Sequence, residues 1–398
     1  MDNRTYSTDS SWNPPYGIAV QIIVWLMVVV ISFETIIGNA MVVIAYNIER
    51  NIGKKVSNRY IVSLAISDLI IGIEGFPLFT TYVLNGERWP LGQLACKTWL
   101  FLDYTLCLVS ILTVLLITTD RYLSVCHMVM YLKWQSSTKA EMLIILSWFI
   151  PAVIFGVIMY GWDTITGMES MTTAECSAPF LSNPYVNMGM YVVYYWTTLV
   201  AMLILYKDIH QAAKSLEKKA EAKEQRHMAL ILSQRLGTQV GVTLMLHSHV
   251  NKEERKHHRS NSEFSSLKTN LEVRTAKNIS SVSTTTTNER VLSSIFAPLS
   301  ANLGRRHRRT VAERRARKAF RTITFIVGCF AILWSPYYIV ATIYGFCKGE
   351  CIPTFVYNLS YYMCYLNSSS NPFVYALANR QFRIAFVRMF KGDFNKNV

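Results

Sequence analysis

Apolar residues gather in seven charge-poor stretches, at about 18–47, 60–84, 98–119, 142–162, 185–206, 322–347 and 352–378. A helix rises about 1.5 Å per residue and a hydrocarbon core is about 30 Å thick. Each stretch can therefore cross a membrane, and the pattern predicts an all-α membrane protein, a bundle of seven transmembrane helices. Phe382 and Arg383 open a further short segment that reads as an amphipathic helix lying along the membrane surface. The chain divides accordingly into an N-terminus, residues 1–17; spans one to five with their loops, 18–206; a long third inner loop, 207–315; spans six and seven, 316–378; and the surface helix with a tail, 379–398.

Lys and Arg decide which side is inside. Arg50, Lys54, Lys55 and Arg59 follow span one, Lys133 and Lys139 follow span three, and Arg380, Arg383, Arg388 and Lys391 follow span seven. The opposite side carries Asp163, Glu169 and Glu175 after span four, with neither Lys nor Arg among them. The N-terminus is expected outside and the C-terminus inside, with span one serving as the insertion signal. The net charge of +15 is this inner-face bias, so a nucleic-acid partner is not required. Within the third loop, Lys214, Lys218, Lys219 and Lys223 read as a helix continuing span five, and residues 257–288 read as disordered. The basic run from Arg305 to Lys318 reads as an anchor on inner-leaflet lipids.

Outside the membrane lie Asn3, in an Asn-Arg-Thr glycosylation acceptor, and the cysteines Cys96, Cys176, Cys347 and Cys351. Cys96–Cys176 would tie the outer loop to the top of span three and Cys347–Cys351 would close a tight outer loop; the alternative is four unpaired thiols. Cys107, Cys126, Cys329 and Cys364 are expected to be free.

A charge in a span is costly, so the few that occur carry information. Asp103 stands seven residues after Cys96 and eighteen before Arg121. That places it about 10 Å below the outer end of its helix and about 27 Å from the inner one. Tyr104 follows Asp103, Tyr337 lies about one turn beyond Trp334 in span six, and Tyr361 and Tyr365 share one face of span seven. A quaternary ammonium has no N–H to donate and is held by charge and by ring faces, each worth about 0.5–2 kcal/mol. One carboxylate among several phenols is what such a cation needs, although packing aromatics would look the same residue by residue. Deeper in, Asp68 has Asn39, Ser110, Asn367 and Asn371 as candidate partners, which makes either a water and sodium site or a structural polar knot. Asp120, Arg121 and Tyr122 end span three, where Arg121 can pair with Asp120 and be released. Pro336 in span six and Pro372 in span seven each remove a helix hydrogen bond and predict kinks.

These residues carry a resemblance. Gly38-Asn39, Leu64-Ala65-x-x-Asp68, Asp120-Arg121-Tyr122, Trp148, Trp334-x-Pro336 and Asn371-Pro372-x-x-Tyr375, with Cys96 and Cys176, look like a rhodopsin-class G-protein-coupled receptor. Leu102-Asp103-Tyr104, Asn183-Pro184-Tyr185-Val186 and Tyr361-x-x-Cys364-Tyr365 are similar to muscarinic acetylcholine receptors, in particular those of nematodes, notably through Ala174–Lys207 and Phe346–Arg383. The resemblance implies a plasma-membrane receptor of neuronal or muscle cells. Asp103, Tyr104, Cys107, Trp334, Tyr337, Tyr338, Tyr361 and Tyr365 would bind acetylcholine. Asp120, Arg121, Tyr122, Tyr206, Asn371, Pro372 and Tyr375 would form the switch that admits a heterotrimeric G protein, of the Gi/o branch. Kinases and arrestin would act on the third loop. No cofactor is implied beyond an allosteric sodium ion near Asp68. Tyr338 stands where vertebrate-type muscarinic receptors have an asparagine, which implies weak binding of bulky ester antagonists.

Other classes fit less well. Cys107 and the Cys347–Cys351 spacing lean toward histamine receptors, and tyramine is a further candidate, but span five reads Met190-Tyr191-Val192-Val193-Tyr194 without a serine pair or an acid. A light sensor would need a lysine in span seven. A transporter or channel would need an internal repeat or a continuous polar path. An enzyme would need a paired catalytic constellation, whereas His127 and His210 sit at the inner edge; no metal-ligand cluster is expected either.

Overall fold

The computed structural model describes residues 15–167, 176–257, 320–347 and 351–395. Asn3 and the third loop beyond His257, with its basic run from Arg305 to Lys318, lie outside the described residues. Six helices are long and apolar enough to cross a membrane: α1 Ile18–Ile48, α2 Asn58–Leu84, α3 Gly92–Cys126, α4 Ser137–Thr166, α5 Pro184–Lys219 and α6 Phe320–Phe346. The seventh, α7 Thr354–Ala378, is less apolar because its inward face carries Asn358, Ser360, Asn367, Ser368, Ser369 and Asn371, all buried. The short α8, Arg380–Phe390, follows directly. The chain divides into two compact units, residues 1–213 with 316–398, and 214–315. The described part of the second is helical as far as His257, longer than the continuation of span five expected from its lysines.

Helix ends are set by local chemistry. Ser136 caps α4 through Lys139 N–H at 3.2 Å, and Asn183 caps α5 through Tyr185 and Val186 N–H at 3.0 and 3.3 Å, just before a proline at the first helical position. Gly167, at φ 67°, closes α4 in the left-handed region. Two helices contain a π turn, Ile71–Gly75 in α2 and Val192–Trp196 in α5. The helix in α6 continues through Pro336.

The first unit is organised around α3, the most deeply buried helix, while α1 and α4 turn most of their apolar side chains outward, as lipid-facing helices do. Its interior is stitched by polar contacts. Thr35 and Ser369 hydroxyls meet at 2.6 Å, Asn39 donates to the Ser368 carbonyl at 3.0 Å, and Trp148 donates to Ser63 at 2.9 Å. Gly38 lets α1 lie directly on Pro372: a Cβ there would come 2.9 Å from the proline Cγ and 3.1 Å from its Cβ. The ring cannot swing away, so Gly38→Ala should destabilise the bundle by about 1–3 kcal/mol, read as a lower melting temperature of the detergent-solubilised protein. An unchanged midpoint would contradict that packing.

At the inner edge α8 buries Phe382, Ala385, Phe386 and Met389. Arg388 clamps it in place, donating to Glu49 and, at 2.9 Å, to Asp393. The Arg388 hydrogen bond, followed by the Asn395 backbone, holds the Asp393 carboxyl below the usual carboxylate range.

Candidate functional site

Asp103 is fully buried, and both of its carboxylate oxygens accept hydrogen bonds from α7. Tyr361 donates to Oδ2, and Tyr365 donates to Oδ1 at 2.7 Å. The two tyrosines are four residues apart, so one helix face presents both hydroxyls. Their rings stand edge to face, centroids 5.3 Å apart, and Tyr337 of α6 adds a third ring 4.9 Å from Tyr361. Tyr104 is buried on the other side, edge-on to Phe180 at 5.2 Å and tilted against Phe155 at 5.5 Å. Phe180 belongs to the loop between α4 and α5, four residues after Cys176, whose disulfide to Cys96 ties that loop to α3. The result is a negative charge of fixed direction walled by ring faces.

Other expected residues sit further off. Trp334 stacks between Phe330 and Tyr338, centroids 5.6 and 6.0 Å away. Tyr338 itself stacks on Tyr195 at 3.9 Å, so it joins the α5 wall. Cys107 lies one turn below Asp103, half-buried and free. The α5 wall was only partly anticipated: Tyr191 shares a 3.1 Å hydrogen bond with Tyr337, and Tyr195 one of 2.8 Å with Ser335. Phe79, stacked on Tyr361 at 4.3 Å, was missed as well. The spacing of Tyr191, Tyr194 and Tyr195 at three and four residues was the available signal; Phe79 had none.

Below this site, Asn371 donates to Asp68 Oδ2 at 2.7 Å, the one bond of the four anticipated for Asp68. Asn39 turns to the Thr35 and Ser368 carbonyls, and Ser110 meets Ser67 at 3.2 Å. Asp68 Oδ1, Asn39 Oδ1, Asn367 Nδ2 and the Tyr375 hydroxyl are buried without a hydrogen-bond partner among the described residues.

At the inner end Arg121 pairs with Asp120 at 3.8 Å. Asp120 Oδ1 also accepts from Tyr131 and Gln135, each at 3.0 Å, from the short helix Met128–Trp134 and the residue that follows it. Burial, then the Asp120 charge, raises the Tyr131 hydroxyl above the ordinary phenol range and keeps it a donor. Tyr122 turns to His127 at 3.2 Å. Contacts that hold the inner end of α6 include Tyr206 to Thr324 at 3.3 Å, Arg321 to the Leu377 carbonyl at 2.6 Å, and Phe320 stacked on Tyr206 with centroids 5.6 Å apart. Tyr375 packs on Phe382 of α8, centroids 5.9 Å apart.

Known proteins share this arrangement at the level of sequence. The profile described as 7 transmembrane receptor (rhodopsin family) matches residues 38–375. The probable muscarinic acetylcholine receptor gar-1 of Caenorhabditis elegans is 41% identical, over 98% of this chain and 98% of its own length. The muscarinic acetylcholine receptor gar-2 of the same organism is 27% identical over 93% and 98%, and the muscarinic acetylcholine receptor M2 of Gallus gallus is 28% identical over 100% and 99%. A polar seventh helix, an outer-loop disulfide and a buried carboxylate under tyrosines thus occur in a chain that belongs to the rhodopsin family of seven-transmembrane, G-protein-coupled signalling receptors, in its muscarinic-like branch.

Proposed function

We propose that this receptor is activated by acetylcholine from outside the cell and drives a heterotrimeric G protein of the Gi/o branch. The observation that carries the ligand is Asp103, with both oxygens held by phenols and no N–H donor among the described residues directed at it. An ammonium without N–H groups loses nothing in such a place, because the tyrosine hydroxyls already satisfy the carboxylate. Its charge is balanced by Asp103 and its methyls lie on ring faces. Three ring faces at about 0.5–2 kcal/mol each supply most of the selectivity for a methylated nitrogen.

Binding alone shifts no equilibrium; the cation must be held more tightly in one conformer. Closure of Tyr337, Tyr361 and Tyr365 on the ligand presses on Trp334, and α6 turns about Pro336. The inner crevice opens only if Tyr206 leaves Thr324 and Arg321 leaves Leu377. Arg121 then separates from Asp120 and Tyr375 swings inward, which gives the G protein its seat between the inner ends of α3, α5 and α6. Asp68 is assigned to an allosteric sodium ion, supported by the unbonded oxygens of Asp68 and Asn39, since hard cations take oxygen ligands. The N-terminus faces outward with Asn3 glycosylated, and the third loop is the substrate of kinases and the landing site of arrestin.

A dose–response panel of acetylcholine, histamine, tyramine and serotonin, read through several G proteins in cells expressing the chain, tests the assignment. Acetylcholine should be the most potent by at least about tenfold, the discrimination expected from one well-placed cation–π contact. Greater potency of any other amine would overturn it.

A further inference from the structure

Glu74 takes no part in the site as described so far. It lies in the π turn of α2, is 9% exposed, and neither carboxylate oxygen has a hydrogen-bond partner among the described residues. An extra residue in a helical turn re-aims the side chains around it, and such turns gather at functional sites. Its neighbour Gly75 places the turn against Tyr365. A Cβ on Gly75 would come 3.2 Å from Cε1 and Cζ of Tyr365, and the hydroxyl on that Cζ donates to Asp103 at 2.7 Å. Glu74 is within electrostatic reach of Asp103, Tyr365 and Cys107, residues of the pocket on α3 and α7.

The two acids differ in what they lack. Asp103 has both oxygens satisfied by phenols and wants only charge. Glu74 has neither oxygen satisfied, and a buried carboxylate left so is expensive. No described residue makes up the deficit. We propose that Glu74 is a second acidic subsite of the same pocket, beside Tyr365, and that it receives the N–H-bearing ammonium of a dicationic ligand whose quaternary head is held by Asp103. The inference rests on the reading of Asp103 as the cation anchor. It adds a ligand class that choline esters do not represent: short-chain diamines with one methylated and one protonated nitrogen.

Two isosteric cations separate the possibilities. (3-Aminopropyl)trimethylammonium and butyltrimethylammonium differ by an ammonium in place of a methyl group. Apparent affinities come from thermal stabilisation of the purified full-length receptor. In the wild type the diamine should bind about tenfold more tightly or better, the scale of a charge-assisted hydrogen bond in a buried site. In Glu74→Gln the advantage should vanish or reverse, because an ammonium is then buried without its partner. Equal or weaker binding of the diamine to the wild type overturns the proposal, as does an unchanged ratio in the variant. The wild-type ratio decides by itself if Glu74→Gln does not fold. Asp103→Asn serves as the control on the parent reading: butyltrimethylammonium binding unchanged in that variant refutes the cation anchor, independently of the result at Glu74.

Discussion

Asp103→Asn is expected to abolish the agonist response while the receptor still reaches the cell surface. The amide has the size of the carboxylate and keeps an acceptor oxygen for one of the two tyrosine hydroxyls, so the interior of the bundle is not disrupted. What disappears is the charge. Removing one member of a buried ion pair costs about 3–5 kcal/mol, which is between about a hundredfold and several thousandfold in potency. The ring faces of Tyr337, Tyr361 and Tyr365 remain but cannot replace it. The measurement is an acetylcholine dose–response beside surface labelling of the same cells, and wild-type potency in the variant would remove the basis of the ligand assignment.

The second large effect comes from the outer loop. Cys176→Ser opens a closed loop of 80 residues in sequence separation. Chain-entropy arguments value such a loop at about 4 kcal/mol, and α3 and α4 within it reduce that figure because the membrane already restrains them. The local consequence is more specific. Phe180 depends on the bridge for its place against Tyr104, and without it one wall of the pocket is lost. Ligand binding at the surface should fall by at least about tenfold, the scale of a lost aromatic contact with its burial. Cys351→Ser opens only a link between residues four apart, of which Cys351 is exposed, and should leave potency within about threefold. If both variants behaved alike, the loop would not be part of the binding site.

The spans were legible because charge is so expensive in hydrocarbon that its absence over twenty residues has few other meanings. Asp103, Tyr361 and Tyr365 were legible for the same reason in reverse: a lone acid must have partners, and two tyrosines four apart share a face. The sequence did not announce the partners that arrive from elsewhere. Tyr131 and Gln135 reach Asp120 from a loop helix whose own periodicity says nothing about where it docks. Phe79 meets Tyr361 just beyond the π turn of α2, and a π turn has no compositional mark. Tyr338 occupies a position expected to face the ligand, yet Tyr195 offers it a stacking surface, a choice set by ring packing across two helices. Of the four partners foreseen for Asp68, Asn371 bonds it, while Asn39 gives its amide to two backbone carbonyls and Ser110 turns to Ser67.

The polarity of α7 bears on how the molecule is made. A segment with six buried Asn and Ser side chains partitions poorly into lipid as a solitary helix, so the biosynthetic machinery cannot place it by hydrophobicity alone. It must enter as a guest of helices already inserted, trading its amides and hydroxyls against Thr35, Asn39 and Asp68 as it arrives. Nascent chains cut before residue 354 would leave those groups stranded in the bilayer, an exposed defect for quality control to recognise and degrade.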